Sequence, residues 1–156
     1  MEFLTSSDVN QVITFLSQGH TLNTSVRTFF RELGSEFGNA EFATKGVSAV
    51  VTHDEDAITI TTPHGKIVGA AEQNRDDRTL AATATFSVVR TAADGKKSAT
   101  EIMSVTLTGY GFVTALNGTR LHRSVKFDDE IAYQTALLLL SSIQNNLQST
   151  PPDQGV

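Results

Sequence analysis

Hydrophobic positions along this chain follow two periods. Before Gly46 they recur at helical spacing: Val9, Val12, Ile13 and Leu16 first, then Val26, Phe29, Phe30, Leu33 and Phe37. Ser6 or Ser7 stands where the first stretch needs a cap, and Gly19 stands where a helix can end. Asn23 or Thr24 can cap a second helix, whose end Gly34 and Gly38 bracket. Two amphipathic helices are therefore predicted, each with an apolar face to cover.

From Gly46 the period becomes two. Segments rich in Val, Ile, Thr and Ala run over Gly46–His53, Ala57–Thr62, Lys66–Glu72, Thr79–Thr91, Thr100–Thr108 and Phe112–Val125. Turn chemistry separates them at Asp54–Asp56, Pro63–Gly65, Gln73–Arg78 and Asp94–Gly95. Asn117–Gly118 divides the last segment into two arms, since both residues tolerate the positive φ of a tight hairpin turn. No crossover helix separates the segments, so six or seven strands in an antiparallel meander are expected. Gly109 and Gly111 flank Tyr110 and predict a bend.

Asp128, Asp129 and Glu130 then place negative charge at the start of a long C-terminal helix, where it complements the helix dipole. That helix carries Ile131, Ala132, Ala136, Leu137, Leu139, Leu140, Ile143 and Leu147. The segment Ser149–Val156, with Pro151–Pro152, reads as a flexible tail behind a single domain over residues 1–148. The fold class is thus α+β, with helices packed on one face of an antiparallel sheet. The element order is similar to the helix-grip architecture, in which a curved sheet wraps a long C-terminal helix. The likeness lies in element order and implies no function.

Composition narrows the chemistry. A chain of 156 residues that is 39% hydrophobic can sustain its own core, and with no cysteine it does so without disulfides or thiolate metal sites. The net charge of -5, with basic residues scattered, argues against a nucleic-acid partner. Arg120 and Lys126 share a strand parity and are the nearest thing to a basic face. The opening Met1–Leu4 lacks the basic and apolar regions of a secretory leader, and Leu137–Leu140 is far short of the ~20 residues a membrane span needs. A cytoplasmic protein is expected, with no membrane partner.

Candidate sites are few. His53, Asp54, Glu55 and Asp56, with His64 across the first hairpin, offer metal-ligand chemistry, but acidic residues also make an ordinary turn, and no metal or cofactor is expected. Glu101 shares strand parity with Met103, Val105 and Leu107, and Arg123 shares it with Leu121 and Val125. Such charges either line a pocket or sit at strand ends in solvent; the second is the simpler arrangement. Glu101, Arg123, Tyr110 and His122 are the groups to consider for a small molecule held between the sheet and the C-terminal helix, with Glu101 or His122 as acid–base residue if chemistry occurs. No nucleophile elbow or phosphate loop frames any Ser, Thr or Lys.

Four successive leucines cover more than one helix face, so Leu138 is in excess of what the sheet can bury. It meets either the N-terminal helices or another subunit. The reading that follows is a non-enzymatic binding protein that engages a protein partner, as an inhibitor, immunity-type protein, adaptor or assembly component, and forms a homo-oligomer. Asp54, Glu55, Asp56 and Leu138 are its candidate contacts, together with a threonine-rich sheet face bearing Thr59, Thr61, Thr83 and Thr85.

Overall fold

The computed structural model describes residues 3–76 and 78–148. The proposed tail, Ser149–Val156, lies outside the described residues. Helices α1 (Ser6–Phe37) and α2 (Ala40–Ala43) precede strands β1 (Ser48–Val51), β2 (Ala57–Thr62), β3 (Gly65–Asp76), β4 (Thr79–Thr91), β5 (Lys97–Leu107), β6 (Phe112–Leu116) and β7 (Thr119–Lys126), and α3 (Asp129–Asn145) follows. The seven strands form one sheet in sequence order, each antiparallel to its neighbour. This is the α+β meander with a C-terminal helix on the sheet. Among the described residues it begins with a helix that is longer than the C-terminal one.

Two helices precede the sheet, but they are not the two predicted stretches, which run together through Gly19 and Asn23 as α1 and are followed by the short α2. α1 runs unbroken for 32 residues, and the chain leaves it at Gly38. Gly19 is kept for contact: Gln73 of β3 donates to its carbonyl at 2.9 Å, and a Cβ there would stand 2.9 Å from the Gln73 amide oxygen. The start also differs. Thr5, not Ser6 or Ser7, is the N-cap, because Asp8 three residues on completes a reciprocal capping box that neither serine can form.

The core lies between one face of the sheet and the two long helices. From α1 it takes Leu22, Val26, Phe29, Phe30, Leu33 and Phe37; from α3, Ala136, Leu139 and Ile143; from the sheet, Ile58, Ile60, Ile67, Ala82, Ala84, Phe86, Val88, Met103, Val105 and Leu107. The alternation on β4 is the reason: every second residue from Ala82 to Val88 is buried. The small residues of β3 and β4 admit large partners rather than a void. The ring of Phe86 lies over Gly69 and meets Phe29 and Phe30, with ring centroids 6.3 Å apart in each case.

Asp128 caps α3 by accepting from the backbone N–H of Ile131 at 2.9 Å. Tyr133 of α3 donates to the Glu41 carboxylate and so ties α3 to α2. The hairpin turn at Asn117 and Gly118 has φ of 52° and 78°, as the Asn-Gly pair predicts. In the polar run Gln73–Arg78, the residues Gln73–Asp76 are strand and not loop. Gln73 bonds to Gly19 and Asn23, and the Arg75 guanidinium sits 4.8 Å from the centre of the Phe15 ring, so these two polar side chains have partners on α1.

Candidate functional site

α1 is far longer than its buried part. Its buried residues begin at Gly19, which leaves residues 6–18, roughly 20 Å of helix, as an extension. Val9, Val12, Ile13 and Leu16 are 46%, 49%, 57% and 65% exposed. At about 100° per residue their mean direction lies roughly 100° around the axis from that of Leu22, Val26, Phe29, Phe30, Leu33 and Phe37. Because the helix does not break at Gly19, the two apolar stripes cannot turn to the same side. The second stripe builds the core, and the first lies on the flank of the helix, exposed. Phe15 in the extension keeps the core direction, and Arg75 lies over it.

The extension is also nearly free of charge. Asp8, held in the cap, is its one charged side chain, and from Val9 to Val26 there is no Asp, Glu, Lys or Arg. The outward side of α3 is similar: Leu137 and Leu138 are 41% and 45% exposed, and no charged residue occurs from Ile131 to Gln148. Leu138 is therefore not covered by the N-terminal helices.

A groove of about 1060 Å³ opens beside the extension. Ser17, Gln18, Thr21 and Leu22 of α1 wall one side, Asn74, Thr79, Leu80 and Ala81 of the β3–β4 hairpin another, and Thr106, Thr108, Tyr110, Phe112, Thr114, Ala115, Arg120 and Ser124 the rest. Tyr110 is 85% exposed at its rim. The turn that carries Tyr110 is fixed on both sides. Ser25 of α1 donates to the Gly109 carbonyl at 2.8 Å, Gly111 N–H to Thr108 at 3.1 Å, and Phe127 N–H to Gly111 at 2.9 Å.

Of the four residues considered for a small molecule, only Tyr110 reaches this groove. Glu101 lies at a separate shallow depression with Ile102, Ser142 and Asn145 of α3, and Asn146 just past its end. His122 and Arg123 are exposed on β7 and line neither. The strand parity that points Glu101 and Arg123 inward breaks for a local reason. Ile102 is an extra residue opposite the Phe86–Ser87 step, so the alternation set by Met103, Val105 and Leu107 does not carry back to Glu101. On β7 the ladder is interrupted between Arg120 and Val125, where Arg123 sits. Arg120, by contrast, reaches the groove. Its only signal in the sequence was the parity shared with Lys126.

The acidic turn is mostly occupied. Arg31 of α1 holds Glu55 with two charge-assisted hydrogen bonds, and the Thr52 hydroxyl donates to Asp56 at 2.7 Å. Asp54 is exposed. His64 lies 3.2 Å from the Gln144 amide. Among the described residues no three His, Asp or Glu side chains gather closely enough to hold a metal ion. No described helix is long and apolar enough to cross a membrane.

Two carboxylates are held below the usual range: Asp8 by the Thr5 backbone N–H and then its hydroxyl, and Glu55 chiefly by the hydrogen bond from Arg31. A depressed carboxylate stabilises the fold above its unfolded pKa, and that stability is lost as pH falls through the folded one. The Glu55→Gln variant is thus expected to melt below wild type at neutral pH. Melting curves taken down to acid pH should show the gap closing as Glu55 takes up its proton; a gap of constant width would show that the Arg31 pairing is not its cause.

No family model matches the chain, and comparison with curated proteins and with solved structures finds no match either.

Proposed function

We propose that this domain acts by binding protein rather than by catalysis, and that its contact surface is the N-terminal extension of α1, occupied by a second copy of the chain. The observation that carries this reading is the exposed stripe of Val9, Val12, Ile13 and Leu16, on the flank of a continuous helix and ahead of its core-packing part. Aliphatic residues aligned on one side of a helix gain free energy when a partner removes them from water. The surroundings favour self-association over an acidic or basic partner. A chain with a net charge of -5 repels its copies, but this segment bears only Asp8 and offers no charge for a foreign partner to pair with. An isologous antiparallel contact would set Val9 of one copy near Leu16 of the other. Leu137 and Leu138 on α3 form a second uncharged patch for the same assembly.

A stripe of this length is smaller than a standard interface of ~800 Å² per partner, so the association is concentration-dependent. Light scattering from low micromolar to millimolar concentration is expected to show the mass rising from one chain towards two. The Ile13→Glu, Leu16→Glu double variant should remain at single-chain mass throughout, with its far-UV circular dichroism preserved because both positions are exposed. A wild-type chain that stays at single-chain mass across the series would end this reading.

A further inference from the structure

We infer that the groove beside Tyr110 is a binding site for a small amphipathic organic anion, a carboxylate on an alkyl or aromatic body. The charge pattern carries the inference. The chain has seventeen acidic residues and twelve basic ones, yet among the described residues not one carboxylate lines the groove. Among the described residues Arg120 is the only charged side chain on its wall, and none of the described acidic residues pairs with it. A guanidinium free to offer its planar fork matches a carboxylate in a way that a neutral group does not.

Size and lining agree with that ligand. A groove of about 1060 Å³ stands at the upper end of the range usual for small-molecule pockets. Leu22, Leu80, Phe112 and Tyr110 offer apolar surface for the body of the ligand, and Thr108 and Thr114 offer hydroxyls that can orient it. The Tyr110 ring need not be ordered on binding at the level of its backbone, because the turn is already bonded to α1 and to Phe127. The site involves α1 at Ser17–Leu22, beyond the stripe proposed for self-association, so either proposal can fail alone.

Octanoate and 1-octanol, equal in body and different in charge, are the probes, followed by amide chemical shifts during titration. Octanoate is expected to move resonances around Tyr110, Leu80 and Arg120 and to bind more tightly than octanol. Arg120→Met should weaken octanoate about tenfold, the scale of one charge-assisted contact, while leaving octanol unchanged. Ala81→Phe, which narrows the groove, should weaken both. The Ile13→Glu, Leu16→Glu variant should still bind octanoate. Equal affinity of the two probes, an Arg120→Met variant that binds octanoate like wild type, shifts confined to Val9–Leu16, or no shifts at all would each overturn the proposal.

Discussion

Replacing Phe30 by alanine is expected to cost about 3–5 kcal/mol of folding stability, as befits a fully buried ring. Phe30 is fully buried and packs edge-on against Phe29, 5.4 Å between centroids, and against Phe86. Its removal leaves a cavity where the helix meets the middle of β4, and the flanking rings are themselves fixed by Phe127 and Gly69. Domains of this kind have roughly 5–15 kcal/mol in total, so the variant should show a much lower urea midpoint with an unchanged slope. Val12→Ala, an aliphatic truncation on the same helix, should move the single chain by about 0.5 kcal/mol or less. If the two variants unfold at similar midpoints, the assignment of one stripe to the core and the other to the outside is wrong.

The second large effect comes from adding atoms. A Cβ at Gly69 would fall 2.6 Å and 2.7 Å from two carbons of the Phe86 ring and 3.0 Å from the Ile58 side chain. Phe86 cannot retreat, because Phe29 and Phe30 lie against it. Gly69→Ala should therefore destabilise by about 1–3 kcal/mol, and Gly69→Val by more. The check is whether pairing the alanine with a smaller ring position restores stability: Phe86→Leu in the Gly69→Ala background should lose less than the two single changes added together. Strict additivity would mean that the two positions do not press on each other.

Most of the sheet was readable from period and turn chemistry. The ends of β2 and β4 fall where alternation and turn residues place them, and Asn117–Gly118 makes its hairpin turn. What could not be read depended on contacts between distant elements. Gly19 looks like a helix stop until Gln73 is found against it, and Gln73–Arg75 look like a loop until α1 is found beside them. Parity failed at Glu101 because a bulge leaves no mark in residue type, and Ile102 is as good a strand residue as its neighbours. The groove was illegible for a related reason. Its walls come from α1, the β3–β4 hairpin and β5–β7, and no local pattern joins Leu22 to Arg120.

The sequence-order meander has a consequence for how the chain assembles during synthesis. Every strand pairs with the one made just before it, so each hairpin can close soon after its second arm appears, with little loop entropy to overcome. The core face of α1 is less fortunate. Phe29 and Phe30 are made early, but their partner Phe86 follows more than fifty residues later and Phe127 later still. At a synthesis rate of roughly 5–20 residues per second, the helix waits for seconds with its aromatic side uncovered. During that interval the aromatic side of α1 stays exposed, and the sheet that finally covers it is added strand by strand.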